Sequence, residues 1–280
     1  MIETFTPGSA FCGAPEDKYM DASIPLATDF YHPSYYAFQK SIDIPWMLHR
    51  KYWEFAYIGE MLRRVGVLRP GARGLGFGCG TEPLPALFAK LGCTIVATDA
   101  PVGANPLDWS NGNQWSSQVQ DLFKPTIIDE VTFRERVTFE PCDMNAISPH
   151  LNGFDFNWSA CCFEHLGGIR EGLDFIINNV ESTLKIGGYA CHTTEYNLSS
   201  DDKTLEMPGL SIFRRRDMEQ LVGELRARGH EVASIRVPIG ATPIDYHVDL
   251  PPFANGGTHI KLMLAEYVCT SIGLIVRRGR

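Results

Sequence analysis

From Pro45 to Arg64 the apolar residues Trp46, Leu48, Trp53, Ala56, Tyr57, Met61 and Leu62 return near helical spacing. Pro45 suits a first helical position and Gly66 suits the cap beyond the end. This spacing predicts one long amphipathic helix. From residue 73 onward the pattern changes. Short β-like runs alternate with helical segments: Arg73–Phe77, a helix Leu84–Leu91, Thr94–Thr98, a looser helical region 114–135, Val137–Glu140, Phe154–Ala160, a helix Ile169–Leu184 and Tyr189–Thr194. Lys185-Ile186-Gly187-Gly188 reads as a helix cap leading into a strand. A polar loop (197–210) precedes a helix Arg214–Arg228 and a strand Glu231–Pro238. Two consecutive β-rich runs, His259–Leu264 and Val268–Arg277, then predict an antiparallel hairpin at one edge. Strands that alternate with helices imply βαβ units. The expected fold is therefore α/β: a Rossmann-like, mostly parallel sheet with helices on both faces and a C-terminal antiparallel edge hairpin. Residues 1–66 are expected to form a helical extension or lid, and 67–280 a single globular unit.

Composition narrows the class. The chain has 280 residues, 44% hydrophobic and 21% charged, with no low-complexity run. A net charge of −8 counts against nucleic acid and anionic membranes, whose phosphates call for a basic footprint. Neither a signal peptide nor a run of 18 uncharged apolar residues is found. The eight cysteines form no Cys-x-x-Cys pair and several sit in apolar runs, which fits a reducing cytoplasm and no zinc ribbon.

The chemistry-bearing segment is Arg73-Gly74-Leu75-Gly76-Phe77-Gly78-Cys79-Gly80-Thr81-Glu82-Pro83. Glycines at 76, 78 and 80 between a strand and a helix let the backbone approach a ligand closely. Asp99 closes the next strand, where an acid can accept ribose hydroxyls. The dinucleotide fingerprint Gly-x-Gly-x-x-Gly fails in every register, because its last position falls on Thr81 or Pro83. No Gly-Lys-Ser/Thr is present in the loop either, so a Walker phosphate loop is excluded. An adenosyl ligand without a pyrophosphate suits the loop best.

At these residues the chain resembles the class I S-adenosylmethionine-dependent methyltransferases, well over 70–200 and more loosely in the last strands. Gly76-x-Gly78-x-Gly80 is similar to the first motif, Asp99 to the ribose acid, and Cys142-Asp143-Met144 to the segment that reads the adenine edge. Phe154–Ala160 with Glu164-His165-Leu166, and Leu184–Gly188, match the fourth strand and the turn before the fifth. The resemblance implies S-adenosylmethionine as cofactor, S-adenosylhomocysteine as product, and Gly76, Phe77, Gly78, Gly80, Asp99, Asp143, Met144 and Ser159 as cofactor-binding residues. One departure stands out. Members carry an acid two residues before the middle glycine, where this chain has Gly76, so Glu82 is expected to take over the methionyl ammonium.

The acceptor should meet residues that follow strands four and five. His165, Glu195 and Glu164 are the candidate bases, with His165 ranked ahead because an imidazole near its free pKa of about 6.5 suits proton removal. Arg50 and Lys51 are candidates to hold an anionic group of the substrate, with His192 as a further contact. The expected activity is methyl transfer to a hydroxyl, or an amine, of a small polar or sugar-derived molecule. The competing class is a non-catalytic adenosyl-ligand sensor or partner subunit. A second, partial resemblance is to small-RNA 3′-end 2′-O-methyltransferases, whose Glu-x-x-Glu-His metal motif is matched by Glu164-His165. Cys161 replaces its first acid, so no metal is expected: Mg²⁺ prefers oxygen ligands.

Overall fold

A computed structural model describes residues 18–101, 115–253 and 257–280. Among the described residues ten strands and eight α-helices run in the order α1 (Ala27–Phe30), α2 (Pro33–Ser41), α3 (Arg50–Arg64), β1 (Arg73–Phe77), α4 (Leu84–Lys90), β2 (Thr94–Asp99), α5 (Glu130–Arg136), β3 (Val137–Pro141), β4 (Phe154–Ala160), α6 (Ile169–Thr183), β5 (Leu184–Asn197), β6 (Glu206–Met207), β7 (Leu210–Ser211), α7 (Arg215–Ala227), β8 (Glu231–Val232), α8 (Pro243–Tyr246), β9 (Leu262–Leu264) and β10 (Tyr267–Arg277). The main sheet has the order β3-β2-β1-β4-β5-β10-β8. The pairs from β3 through β5 are parallel, and β10 is antiparallel to both β5 and β8. The expected hairpin exists as β9 with β10. Its long strand, however, is inserted between β5 and β8, so β8 forms the edge.

Sequence explains the central strands directly. In β1 all residues after Arg73 are buried, as expected of a strand covered on both faces. On one face Phe156 and Trp158 of β4 pack with Phe88 of α4. On the other, Phe77 meets Phe175 of α6 edge-on, 5.1 Å between ring centres. Each such fully buried aromatic contributes roughly 1.5–3 kcal/mol.

Four expected boundaries move, each for a local reason. The helix predicted from Pro45 begins at Arg50, because the backbone at 48–50 is spent on an isolated bridge to His259. His259 N donates to Leu48 O, and Arg50 N donates to His259 O. His49 then caps α3 by accepting from Lys51 N at 3.1 Å. The looser helix of 114–135 reduces, among the described residues, to a 3₁₀ turn Val119–Leu122 and the start of α5. Lys185–Gly188 belongs to β5 as a bulge, marked by the register shift between Phe154 and Phe156. The strand predicted to Pro238 pairs only over Glu231–Val232. Beyond that point Ser23 is wedged between the two segments: its N–H bonds Arg236 O, and its carbonyl accepts from Gly273 N.

The N-terminal helices are part of the core. Trp53, Ile58 and Leu62 of α3 are fully buried in the cluster that also holds Ile95, Phe156 and Trp158. Asp29 of α1 accepts the Trp53 indole N–H at 2.8 Å, which ties the first turns to α3. Among the described residues no helix is long and apolar enough to cross a membrane. The seven described cysteines are all free, and Cys12 lies outside the described residues.

Candidate active site

Parallel α/β sheets form their crevice beyond the carboxyl ends of the strands, where strand order reverses. Here that point lies between β1 and β4, and a cleft of about 690 Å³ opens there. One side is the glycine loop from Gly78 to Glu82, and the other is the start of α3 with the segment after β4 and Glu195 of β5.

The loop is shaped by its own backbone. Gly78 and Gly80 adopt left-handed φ values of 57° and 50°, which side chains resist. Asp99 at the tip of β2 fixes the loop: its Oδ2 accepts Gly80 N at 2.9 Å and Ser116 N at 3.0 Å. The absence of an acid at position 76 has a steric cause. A Cβ on Gly76 would lie 2.6 Å from the Trp158 ring and 2.4 Å from Cys79 Sγ. Trp158 then points its indole N–H at Glu82 Oε1, 2.7 Å away. A carboxylate is therefore delivered to the loop from the following turn. Burial pushes the Glu82 carboxyl up to about 8, against the pull of the Trp158 N–H and the Lys51 charge.

The opposite wall is an ionic cluster. Arg50 donates to Glu195 Oε1, to Glu54 Oε1 at 3.3 Å and to Ser271 Oγ at 3.0 Å. Lys51 Nζ lies 3.2 Å from Glu54 Oε2 and 2.6 Å from Ala160 O. Burial works to raise the Glu54 carboxyl, but Lys51 and Arg50 outweigh it and hold it below the ordinary value. Cys161 sits at φ 50°, a left-handed conformation costing about 1–3 kcal/mol for a non-glycine residue. That turn ends β4 and brings Cys161 Sγ to 3.0 Å from Glu54 Oε1. It also carries the chain into the 3₁₀ turn Phe163–His165. Glu164, 1% exposed, accepts from Thr194 Oγ1 with Oε2, while its Oε1 receives no hydrogen bond from another described residue. Burial, and then the negative charge of Glu54, raise its carboxyl above the ordinary range.

The structure thus gathers Gly78, Gly80, Glu82, Arg50, Lys51, Glu164, His165 and Glu195 around one cleft. It does not bring all the sequence candidates there. Ser159 and His192 face α6, where Ser159 Oγ and His192 Nδ1 are 2.8 Å apart and His192 Nε2 lies 3.3 Å from Asn179 Oδ1. Both are fully buried, and burial lowers His192 to about 3. This corrects Ser159 as a cofactor contact and His192 as a substrate contact. Phe77 is a core aromatic, and Gly76 abuts Trp158. Asp143 is exposed and closes a turn through Asn145 N at 2.9 Å, whereas Met144 is buried close to Gly78. His165 joins its Nδ1 to Gly209 O at 2.7 Å. A carbonyl only accepts, so Nδ1 carries the proton there, and burial lowers this histidine to about 4. Arg50 and Lys51, expected to hold an anionic group of the substrate, line the cleft and are engaged there with Glu54, Glu195 and Ala160 O. Glu54, Ser271 and Trp158 escaped the sequence reading. The one available signal was Glu54, an acid three and four residues after Lys51 and Arg50 on the apolar face of a helix.

These titrations predict a stability maximum. Burial lowers His49 and His165 to about 4 and His192 to about 3, so the unfolded chain binds protons that the fold refuses, and the histidine contribution weakens below about pH 6.5, where three buried carboxyls oppose it. Glu82, Glu164 and Glu195 are raised, so the fold keeps protons that the unfolded chain has released. That stability is lost as pH rises toward about 8. Between about pH 6.5 and 8 only the carboxyl effect acts, and the Tm of the ligand-free protein should fall by on the order of 5 °C. Glu82→Gln should flatten that slope in a thermal melt. A flat profile in the parent protein would mean that these carboxyls are already ionised at neutral pH.

The strand order, the glycine loop and the inserted antiparallel strand define a Rossmann-like fold. No family model and no curated protein matches the chain. Among solved structures it is similar to magnesium protoporphyrin IX methyltransferase from Synechocystis, crystallised with S-adenosylhomocysteine, at 12% identity and TM-score 0.47 over 90% of this chain and 97% of that one. A putative sarcosine dimethylglycine methyltransferase from Galdieria sulphuraria aligns at 15% identity and TM-score 0.48, over 81% and 85%. The [4+2]-cyclase SpnF aligns at 22% identity and TM-score 0.46, over 75% and 76%.

Proposed function

We propose that the protein is an S-adenosylmethionine-dependent methyltransferase acting on a small molecule in the cytoplasm. The observation that carries this reading is Glu82, a buried carboxyl set against the glycine loop. A pyrophosphate cradled by that loop would face Glu82, whereas a methionyl ammonium beside a sulfonium would be neutralised by it. Asp99 then receives the ribose, the left-handed glycines bring backbone to the cofactor, and Asp143 with Met144 flanks the adenine. Methyl transfer is an in-line displacement on the sulfonium, so the protein mainly aligns the acceptor and accepts its proton.

The test is calorimetry with S-adenosylmethionine, S-adenosylhomocysteine and NAD. The two adenosyl ligands should bind more tightly than NAD by about tenfold or more. NAD binding as tightly as S-adenosylhomocysteine would overturn the reading. Glu82→Gln keeps the shape and removes the charge. It should weaken S-adenosylmethionine by about tenfold and leave 5′-methylthioadenosine, which lacks the amino acid, within a few-fold. Equal loss for both ligands would make Glu82 a shaper of the loop only.

A further inference from the structure

Four acids and two bases meet in the cleft: Glu54, Glu82, Glu164 and Glu195 against Arg50 and Lys51. Arg50 lies on Glu195 and Glu54, and Lys51 lies on Glu54. Those four charges balance. On the methyltransferase reading, Glu82 is matched by the methionyl ammonium. Glu164 is left over, with Oε1 buried and given no hydrogen bond by another described residue. Burial favours the protonated form of Glu164, and a cation against Oε1 would stabilise its carboxylate, whose charge is otherwise costly to bury. A neutral hydroxyl would supply a hydrogen bond but no charge, and an anionic acceptor would be repelled.

Resting on that reading, we propose that the methyl acceptor is a protonated amine whose ammonium sits against Glu164 Oε1 and whose body is flat and apolar. The body is argued from the rest of the cleft wall, where His49, Tyr52, Phe55 and His259 present aromatic faces. Burial keeps His49 neutral, so this wall adds no repelling charge there. A divalent metal is the rival occupant, since Cys161, Glu164 and Glu195 place ligand atoms within 4.8 Å of one another. The Arg50 guanidinium already occupies that corner, bonded to Glu195 and 3.7 Å from Cys161 Sγ. A doubly charged ion would have to displace it, whereas an ammonium needs only Oε1 of Glu164, which the neutral His165 approaches with Nε2 at 3.8 Å. In the reaction the ammonium passes one proton to the Glu164 carboxylate, and the freed nitrogen lone pair attacks the methyl carbon. The carbon–sulfur bond breaks with its electron pair going to sulfur, which leaves a thioether and a protonated methylamine. The proton on Glu164 then leaves to solvent.

The experiment uses three probes of one skeleton, 2-phenylethylamine, 2-phenylethanol and phenylacetate, titrated near neutral pH into protein saturated with S-adenosylhomocysteine. The amine should bind about tenfold more tightly than the alcohol, phenylacetate should not compete, and Glu164→Gln should erase most of the amine preference. The comparison in the parent protein stands even if the variant fails to fold. Alcohol binding equal to amine binding, a preference unchanged in Glu164→Gln, or no saturable amine binding would each overturn the proposal. So would tight Mn²⁺ binding to EDTA-treated protein that excludes the amine. Failure of S-adenosylhomocysteine itself to bind would instead remove the methyltransferase reading, and this inference with it.

Discussion

Glu164→Gln is expected to lower the methyl-transfer rate on the order of 10²- to 10⁴-fold while S-adenosylhomocysteine affinity stays within a few-fold. Of the three candidate bases, the structure leaves Glu164 best placed to receive a proton. His165 spends Nδ1 on Gly209 O and is held neutral well below its ordinary range, so its product imidazolium would be disfavoured. Glu195 is tied to Arg50. Glu164 keeps a buried oxygen for the acceptor, and burial raises its carboxyl toward the range useful at neutral pH. The charged and titratable groups acting on it are Glu54 and Lys51 of α3, Glu195 of β5, and its neighbours Cys161 and His165. Because the carboxylate is the active form, the rate should rise with pH through its ionisation and then level. Initial rates of S-adenosylhomocysteine release at saturating acceptor would show this. Full turnover in Glu164→Gln together with a large loss in His165→Ala would return the role to the histidine.

Asp99→Ala should weaken S-adenosylmethionine by more than about tenfold, because one carboxylate serves two purposes. Hydrogen bonds to a charged acceptor contribute roughly 1.5–3 kcal/mol each. On the proposed reading Asp99 loses its bonds to the ribose, and the loop also loses the anchor at Gly80 N. The two losses separate with a 2′,3′-dideoxy analogue of S-adenosylhomocysteine, which has no hydroxyls to offer. In calorimetry this analogue should distinguish the variant from the parent protein far less than the natural ligand does. An equal loss for both would assign Asp99 to the loop alone.

The order of strands and the glycine loop were legible in the chain because both are local signals. Period, turn residues and a Gly-rich connection are written within a few positions of one another. The ionic cluster was not, because its members come from 50–54, 161–165, 195 and 271 and meet only once the sheet closes. The missing acid at Gly76 shows the same limit. Glu82 was legible as a carboxyl beside the loop, but the reason that position 76 holds no side chain is the Trp158 ring, contributed by a strand more than seventy residues away in sequence. Ser159 and His192 misled because strand residues alternate faces, and these two point toward α6 while Trp158 and Ala160 point toward α3 and α4. Helix α3 misled at its start for a similar reason, since only the distant His259 ends the extended stretch at His49.

The separate origins of the two cleft walls bear on how such a protein could change over evolutionary time. One wall is built from the loop after β1, while the cations of the facing wall come from the first turn of α3. Substitutions at positions 50, 51 and 54 would redraw the charge of the acceptor side without touching the glycine loop or Asp99. Loss of Arg50 alone would leave Glu195 as a second uncompensated carboxylate, deepening the preference for polycations. Exchange of Glu54 for a neutral residue would free Lys51 and cancel the surplus negative charge of that wall. On the proposed reading, a handful of changes in one helical turn could therefore retune the charge that an acceptor meets while the glycine-loop wall stayed constant.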